Sequence, residues 1–261
     1  MLDPKKKIVV ANFKMNPVTL REVEQWAGNF KQAWKQRKAD DVEAVICPPV
    51  IFLEGLVKKI KLKEVEFGAQ DCFWEKKGAF TGEISAGAIH SLGAKFVILG
   101  HSEQRKYFGE TNQRVNLKLQ AALAAGLKIV LCIGETAAER SSGKAIPMVK
   151  KQLVECLKEV KSTKLENVVI CYEPVWAISA NGPAKLPEAD EILQMKLVIK
   201  KYLTENYSRA LADKMQIIYG GSVDAKSAQE VCVETMMDGA LVGSASLRPY
   251  DFVRIAEVIA K

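Results

Sequence analysis

The sequence has little that marks a membrane, exported or redox protein. No stretch approaches the roughly 18 consecutive apolar residues of a membrane-spanning helix. The first residues, MLDPKKKIVVANFK, lack the apolar segment of about 7–15 residues that a secretory signal contains, which predicts no export. The six cysteines are never closer than 15 positions, so there is no CxxC motif. Cys132 and Cys171 lie within apolar runs, so we expect them to be small core residues of a protein in a reducing, cytoplasmic compartment.

Histidine is also scarce, and the positive charge is not concentrated in one place. The two histidines, His90 and His101, are too few for a histidine-rich metal site. No GxGxxG follows an apolar run, which argues against a dinucleotide-binding sheet. Basic residues outnumber acidic ones by 38 to 31, but they occur as short pairs and triplets without interleaved aromatics. This pattern predicts no nucleic-acid partner, although the net charge of +7 can steer a small anionic substrate.

What the chain does contain is a series of eight short apolar runs separated by helical patterns. The runs are nearly continuous in apolar character, as in parallel strands that are buried on both faces. The intervals between them fit strand–loop–helix units. In a chain of 261 residues, this count predicts an α/β fold with a single (β/α)8 barrel domain over residues 1–261. The runs begin at Ile8, Val42, Glu66, Phe96, Lys128, Val168, Gln216 and Gly239.

Helix-start signals between the runs agree with this arrangement. Thr19 and Glu22 have the spacing of a capping box, ahead of an apolar stripe that predicts the first helix. Thr111 is placed to cap a later helix. Pro187 and Pro249 suit the first turns of the last two long helices.

Polar residues follow several of the predicted strands at their carboxyl ends, where such barrels carry their active sites. Asn12 and Lys14 follow the first run, His101 and Glu103 follow the fourth, and Glu173 follows the sixth. The glycine-containing loops YGGS and VGS follow the seventh and eighth runs, and their backbone N–H groups suit a phosphate. These groups are therefore predicted to meet at one site.

The side chains at this predicted site suit proton transfer. Glu173 follows an apolar strand, and burial raises the pKa of a carboxylate, which suits a general base. His101 precedes a short predicted helix, whose N-terminus favours a neutral, hydrogen-bond-donating imidazole. Lys14 can neutralise an anionic substrate and a developing oxyanion, and Glu103 can pair with it. Taken singly, each residue also has a structural interpretation, as a salt-bridged, hydrogen-bonded or surface side chain.

Eight segments of the chain resemble the triosephosphate isomerase family. In order, they are ANFKMN, GAQDC, GAFTGEIS, ILGHSEQR, LCIGET, YEPVWAI, IIYGGSV and GALVGSASL. The resemblance implies a (β/α)8 barrel that interconverts D-glyceraldehyde 3-phosphate and dihydroxyacetone phosphate through an enediolate. It implies no metal or organic cofactor, and a place in glycolysis and gluconeogenesis.

The resemblance also implies a role for each residue at a matching position. Glu173 is implied as the base and His101 as the electrophile, with Lys14 and Asn12 facing the substrate. The segment around Thr81 matches the loop that reaches into a partner subunit, which implies a homodimer. The backbone groups implied to bind the phosphate are those of Ser179, Ser222, Gly243 and Ser244. The residues implied to cover the base are Ile178 and Leu241.

The chain departs from the family pattern chiefly after YEPVWAI. The usual GTGKTA is replaced between Ser179 and Pro183, and the proline fixes one backbone dihedral there. Gln104 occupies an arginine position, and Ser244 occupies a glycine position. Two alternatives stay open. One is another phosphate-binding barrel enzyme, although two histidines are few for the metal ligands of an epimerase. The other is a weakly catalytic scaffold with an altered lid, although every catalytic side chain is present.

Overall fold

A computed structural model describes residues 2–4, 6–39, 41–178 and 186–261. Eight parallel strands form a closed ring in chain order, in which β1 pairs with both β2 and β8. The predicted (β/α)8 barrel is therefore confirmed. The strands are β1 Lys7–Asn12, β2 Val42–Cys47, β3 Val65–Ala69, β4 Phe96–Leu99, β5 Lys128–Ile133, β6 Val168–Tyr172, β7 Ile217–Tyr219 and β8 Gly239–Val242.

Helices connect the strands on the outside of the ring. In the described ranges, no helix combines the length and the apolar character needed to cross a membrane. Short 3₁₀ turns cover Val175–Ala177 and Ser244–Leu247, and a π-helical segment covers Gln229–Glu234. The α-helices are α1 Leu20–Gln36, α2 Val50–Lys59, α3 Ala86–Ser91, α4 Ser102–Phe108, α5 Asn112–Ala124, α6 Ala137–Ser141, α7 Ala145–Cys156, α8 Ser162–Leu165, α9 Ala189–Asn206, α10 Arg209–Lys214 and α11 Pro249–Ile259.

The strands are buried on both faces, as their continuous apolar runs predicted. One set of strand side chains, including Val10, Ile98, Val130 and Ile218, packs together as a cluster separate from the helices. The alternate set packs beneath the helices in the larger core. Both faces of the sheet are thus occupied by apolar groups, which leaves the strand ends and the following loops for polar side chains.

The caps of α1, α5 and α11 agree with the sequence. The Thr19 hydroxyl accepts the N–H of Glu22 at 3.3 Å, and the Glu22 carboxylate accepts the N–H of Thr19 at 3.0 Å. This is the predicted capping box. Thr111 caps α5 through its side chain, and Pro249 is the first residue of α11. Local side-chain chemistry therefore sets these helix starts.

Two expected boundaries are wrong by a few residues. Pro187 lies before α9 rather than in its first turn, because Glu188 and Glu191 form a capping box that starts the helix at Ala189. The seventh strand is shorter than the apolar run beginning at Gln216, since β7 covers only Ile217–Tyr219. Beyond Tyr219 the chain turns away into the glycine loop at the mouth of the barrel.

Candidate active site

A cavity of about 660 Å³ opens at the carboxyl ends of the strands. Its walls come from the residues that follow β1, β4, β6, β7 and β8. The structure brings nearly all of the site residues named from the sequence to this cavity. Only Ser179 lies outside the described residues, together with the rest of the departure up to Lys185. The predicted residues that line the cavity are Asn12, Lys14, His101, Glu103, Glu173, Ile178, Ser222, Leu241, Gly243 and Ser244.

Glu173 stands at the end of β6 with its carboxylate almost completely buried. Its Oε1 atom lies 3.0 Å from Nε2 of His101. Its Oε2 atom accepts the backbone N–H of Ser102 at 2.9 Å. Because Ser102 is the first residue of α4, the carboxylate occupies a helix N-terminus, where unpaired N–H groups favour an anion.

The pKa of Glu173 contradicts the expectation of a raised value. Burial raises the pKa of this carboxyl, but the charge and hydrogen bond of His101 and the N–H of Ser102 together lower it by more. The net pKa of Glu173 is below its ordinary value, so the carboxylate is held ionised. The apolar neighbours in the sequence showed the burial, whereas the donors come from α4, some 70 positions away in the chain.

His101 precedes α4 as its N-cap residue. Its Nδ1 atom accepts the N–H of Glu103 at 3.2 Å, which leaves the ring proton of a neutral imidazole on Nε2, facing Glu173. Burial lowers the pKa of His101, but the carboxylate of Glu173 raises it by more. The hydrogen bonds thus match the predicted tautomer. The expected direction of the pKa shift is wrong, because the nearby carboxylates of Glu173 and Glu103 outweigh burial.

Lys14 enters the site through an unusual backbone conformation. Its φ of 53° lies in the left-handed region, which costs on the order of 1–3 kcal/mol for a non-glycine residue. Its Nζ atom lies 2.6 Å from Oε1 of Glu103, the predicted pairing, and its N–H donates to Oδ1 of Asn12 at 3.0 Å. The Nε2 atom of Gln70 donates to the Lys14 carbonyl at 2.9 Å and so braces the strained residue. Only the GAQDC segment hinted at Gln70.

The loops after β7 and β8 line the end of the cavity next to β1, where a Cβ atom at Gly243 would come within 3.5 Å of Cε of Lys14. Gly243 and Ser244 stand where β8 passes into the 3₁₀ turn Ser244–Leu247. The N–H of Ser222 donates to the carbonyl of Ala177 at 3.2 Å. Ser222 can therefore bind a phosphate through this N–H only after the bond to Ala177 has opened.

Known proteins match the chain along the whole barrel. The family model described as triosephosphate isomerase matches residues 7–259. The chain belongs to the triosephosphate isomerase family. The resemblance inferred from the eight segments, and the isomerase class that it implies, are confirmed.

Individual members of the triosephosphate isomerase family are similar over nearly their full length. The triosephosphate isomerase of Dictyoglomus thermophilum is 40% identical over 253 residues, which cover 97% of this chain and 99% of that protein. The triosephosphate isomerase of Cytophaga hutchinsonii is 42% identical over 253 residues, again 97% of this chain and 99% of the relative. That of Acetivibrio thermocellus is 40% identical over 254 residues, with 97% and 98% covered.

This triosephosphate isomerase family member also carries a buried acid that the sequence did not single out. Glu135 is fully buried and accepts the Trp176 indole N–H at 2.8 Å and the Tyr172 hydroxyl at 3.2 Å. The Arg140 guanidinium lies 3.5 Å from Glu135 and 4.4 Å from the centre of the Trp176 ring. These contacts anchor the chain on both sides of Glu173. The sequence could have indicated this group through the segments LCIGET and YEPVWAI, which contain all of its residues except Arg140.

The part of the chain that the structure describes shows no candidate metal site. Among those residues, no set of three or more histidine, cysteine, aspartate or glutamate side chains could hold a metal ion.

Proposed function

We propose that this protein interconverts D-glyceraldehyde 3-phosphate and dihydroxyacetone phosphate, as a step of glycolysis and gluconeogenesis. The observation that carries the proposal is the 3.0 Å contact between the Glu173 carboxylate and Nε2 of His101, in a cavity that Lys14 also lines. Removal of a proton next to a carbonyl needs a base on carbon and donors on oxygen. Membership of the family supports the same reaction.

Glu173 acts as the base in this proposal. The proton beside a carbonyl is weakly acidic, and the ionised carboxylate removes it from one carbon and returns it to the next. The lowered pKa of Glu173 keeps the carboxylate ready to accept that proton near neutral pH. To reach a substrate carbon, the carboxylate gives up its bonds to His101 and Ser102. The Nε2–H of His101 is then free to donate to a substrate oxygen.

His101 and Lys14 stabilise the charge that develops on the enediolate oxygens. The Glu103 carboxylate holds the Lys14 ammonium in place. The backbone N–H of Glu103 donates to Nδ1 of His101 and so fixes the His101 tautomer. The Asn12 amide orients the backbone of Lys14 at the edge of the same cavity. Each well-placed oxyanion donor contributes about 10²–10³-fold to kcat.

The substrate phosphate is proposed to bind at the β7 and β8 end of the cavity. The backbone N–H groups of Gly243 and Ser244 supply this end, and Ser222 joins them once its N–H leaves Ala177. Ser179 stays a proposed phosphate contact. Ile178 and Leu241 are proposed to cover the base, because both are apolar, buried residues of the cavity wall. Exclusion of water there limits side reactions of the enediolate.

Substitution of Glu173 by glutamine tests the proposal. In a coupled assay of glyceraldehyde 3-phosphate isomerisation, Glu173→Gln should lower kcat by about 10²–10⁴-fold, the usual range for loss of a general base. Glu43→Gln is the matched control, because Glu43 lies on β2 outside the set of described residues that line the cavity. Full activity of Glu173→Gln would reject the assignment. A folded but inactive parent would favour the scaffold alternative.

We also propose that the protein is a homodimer. Apolar side chains are exposed in the segments after the first strands, with Met15 at 88%, Val18 at 78% and Ile51 at 77%. Phe80 and Thr81 extend this exposed region after β3. Because consecutive strands are neighbours in the ring, these segments lie on one side of the barrel. The loop around Thr81 is the part proposed to reach into the partner.

We further propose that residues 1–261 form one domain and that the protein works in the cytoplasm. The pairing of β1 with β8 supports the single domain, because the ring closes only when both ends of the chain contribute. The free state of the six cysteines supports the location, since a reducing compartment leaves thiols unpaired.

A further inference from the structure

Gln152, on α7, is a buried polar residue that no step of the proposed reaction uses. Only 6% of it is exposed. Its Nε2 atom donates to the carbonyl of Gly134 at 2.9 Å, and its Oε1 atom accepts the N–H of Gly134 at 2.7 Å. One side-chain amide therefore satisfies both backbone groups of one residue, just beyond the end of β5.

Gly134 in turn lies directly against the backbone of Glu173. A Cβ atom at Gly134 would come within 1.9 Å of the Glu173 carbonyl oxygen, so the two main chains are in contact. The N–H of Glu173 donates to the carbonyl of Ile133 at 2.7 Å, and the N–H of Val175 donates to that of Glu135 at 3.0 Å. The chain at 133–135 and the chain at 173–175 are thus joined beyond the strand ends.

We propose that Gln152 is a positioning residue for the base Glu173, an inference that rests on the proposed function. If the amide is lost, the buried N–H and carbonyl of Gly134 lose their partners, and such groups are costly to leave unpaired. The segment then moves to recover hydrogen bonds, and the backbone of Glu173 moves with it. A displacement of about 1 Å at a catalytic group costs up to about 10²-fold in rate.

The first test compares Gln152→Met with Gln216→Met. Gln216 is a matched control, because it is also a buried glutamine whose Nε2 donates to a backbone carbonyl, that of Lys6 at 2.7 Å, at the other end of the barrel. We expect Gln152→Met to lower kcat by about 10–100-fold with little change in KM. We expect Gln216→Met to keep the parent kcat. Equal kcat values for the two variants would overturn the inference.

A second variant, Gln152→Glu, separates positioning from folding. A protonated carboxyl group can donate to the Gly134 carbonyl and accept its N–H, whereas an ionised one repels that carbonyl. The kcat of Gln152→Glu relative to the parent should therefore rise as the pH falls, while that of Gln152→Met stays flat. A flat ratio for Gln152→Glu contradicts the inference. An inactive parent rejects the proposed function, whereas an active parent with a fully active Gln152→Met rejects only the role of Gln152.

Discussion

One group of charged residues contains two acids and a single base, with Lys118 and Glu110 buried and Asp71 partly exposed. The Nζ atom of Lys118 lies 2.7 Å from the Asp71 carboxylate and is also paired with Glu110. Burial raises the pKa of Asp71 to about 6, although the charge of Lys118 lowers it. Burial is the main cause and the charge of Glu110 adds to it, so Asp71 stays protonated up to about pH 6.

Asp71→Asn should change how stability depends on pH. The pKa of Asp71 is about 6 in the folded state, above its ordinary value of 3.8. Its stabilising contribution is therefore complete below the lower value and is lost as the pH rises through the upper one. Relative to the variant, the parent should lose on the order of 1–3 kcal/mol of unfolding free energy between about pH 4 and 6.5. Urea unfolding at several pH values measures this.

Asp224→Asn provides the control for that pH series. Hydrogen bonds from the backbone at Ser227 hold the pKa of Asp224 below its ordinary value. The contribution of Asp224 to the unfolding free energy therefore changes only at lower pH. The difference between the parent and Asp224→Asn should stay constant above about pH 4.5. A constant difference for Asp71→Asn as well would mean that Asp71 is ionised throughout.

Single residues were predictable where their chemistry is local, and not where their partners are distant. Glu173, His101 and Lys14 could be picked out because each follows an apolar strand. Gln70 and Gln152 were not found, because they bind backbone groups 56 and 18 positions away. The pKa of Glu173 was predicted in the wrong direction for the same reason.

Helix α1 starts with a complete capping box, and it packs Trp26, Phe30 and Trp34 into the core. Thr19→Ala removes the side-chain half of the capping box and should lower the unfolding free energy by about 1 kcal/mol. Urea unfolding of parent and variant at one protein concentration measures this, because oligomerisation links stability to concentration. Thr19→Ser keeps the hydroxyl and should match the parent. Equal stability of the alanine variant would show that α1 needs no cap.

The secondary structure elements were easier to predict than their ends. All eight strands lie where the apolar runs predicted them, because burial on both faces leaves an unmistakable run of apolar residues. Helix starts set by a hydroxyl, such as Thr19 and Thr111, were also found. The start of α9 was predicted too early. Pro187 suggested that it lies in the first turn, whereas the helix begins at Ala189, after Glu188 caps it with a carboxylate.

For the whole molecule, the proposed homodimer predicts a solution mass twice the chain mass of 28.8 kDa. Ile51→Arg should shift the protein towards the monomer, since it places a charge among the apolar side chains proposed to meet the partner. Leu197→Arg is the control, because Leu197 is 59% exposed on α9, far round the ring from β2. Sedimentation equilibrium distinguishes the species. A dimer unaffected by Ile51→Arg would place the interface elsewhere.

The burial of the cysteines decides how the protein reacts with thiol-reactive compounds. All six cysteines are buried, and burial raises the pKa of Cys156 to about 11 and of Cys72 and Cys232 to about 12. A thiol reacts as its thiolate, so the cysteines of the folded protein react very slowly with electrophiles and oxidants. Damage by such agents falls on molecules that have opened. The rate of cysteine labelling therefore measures how often the barrel unfolds.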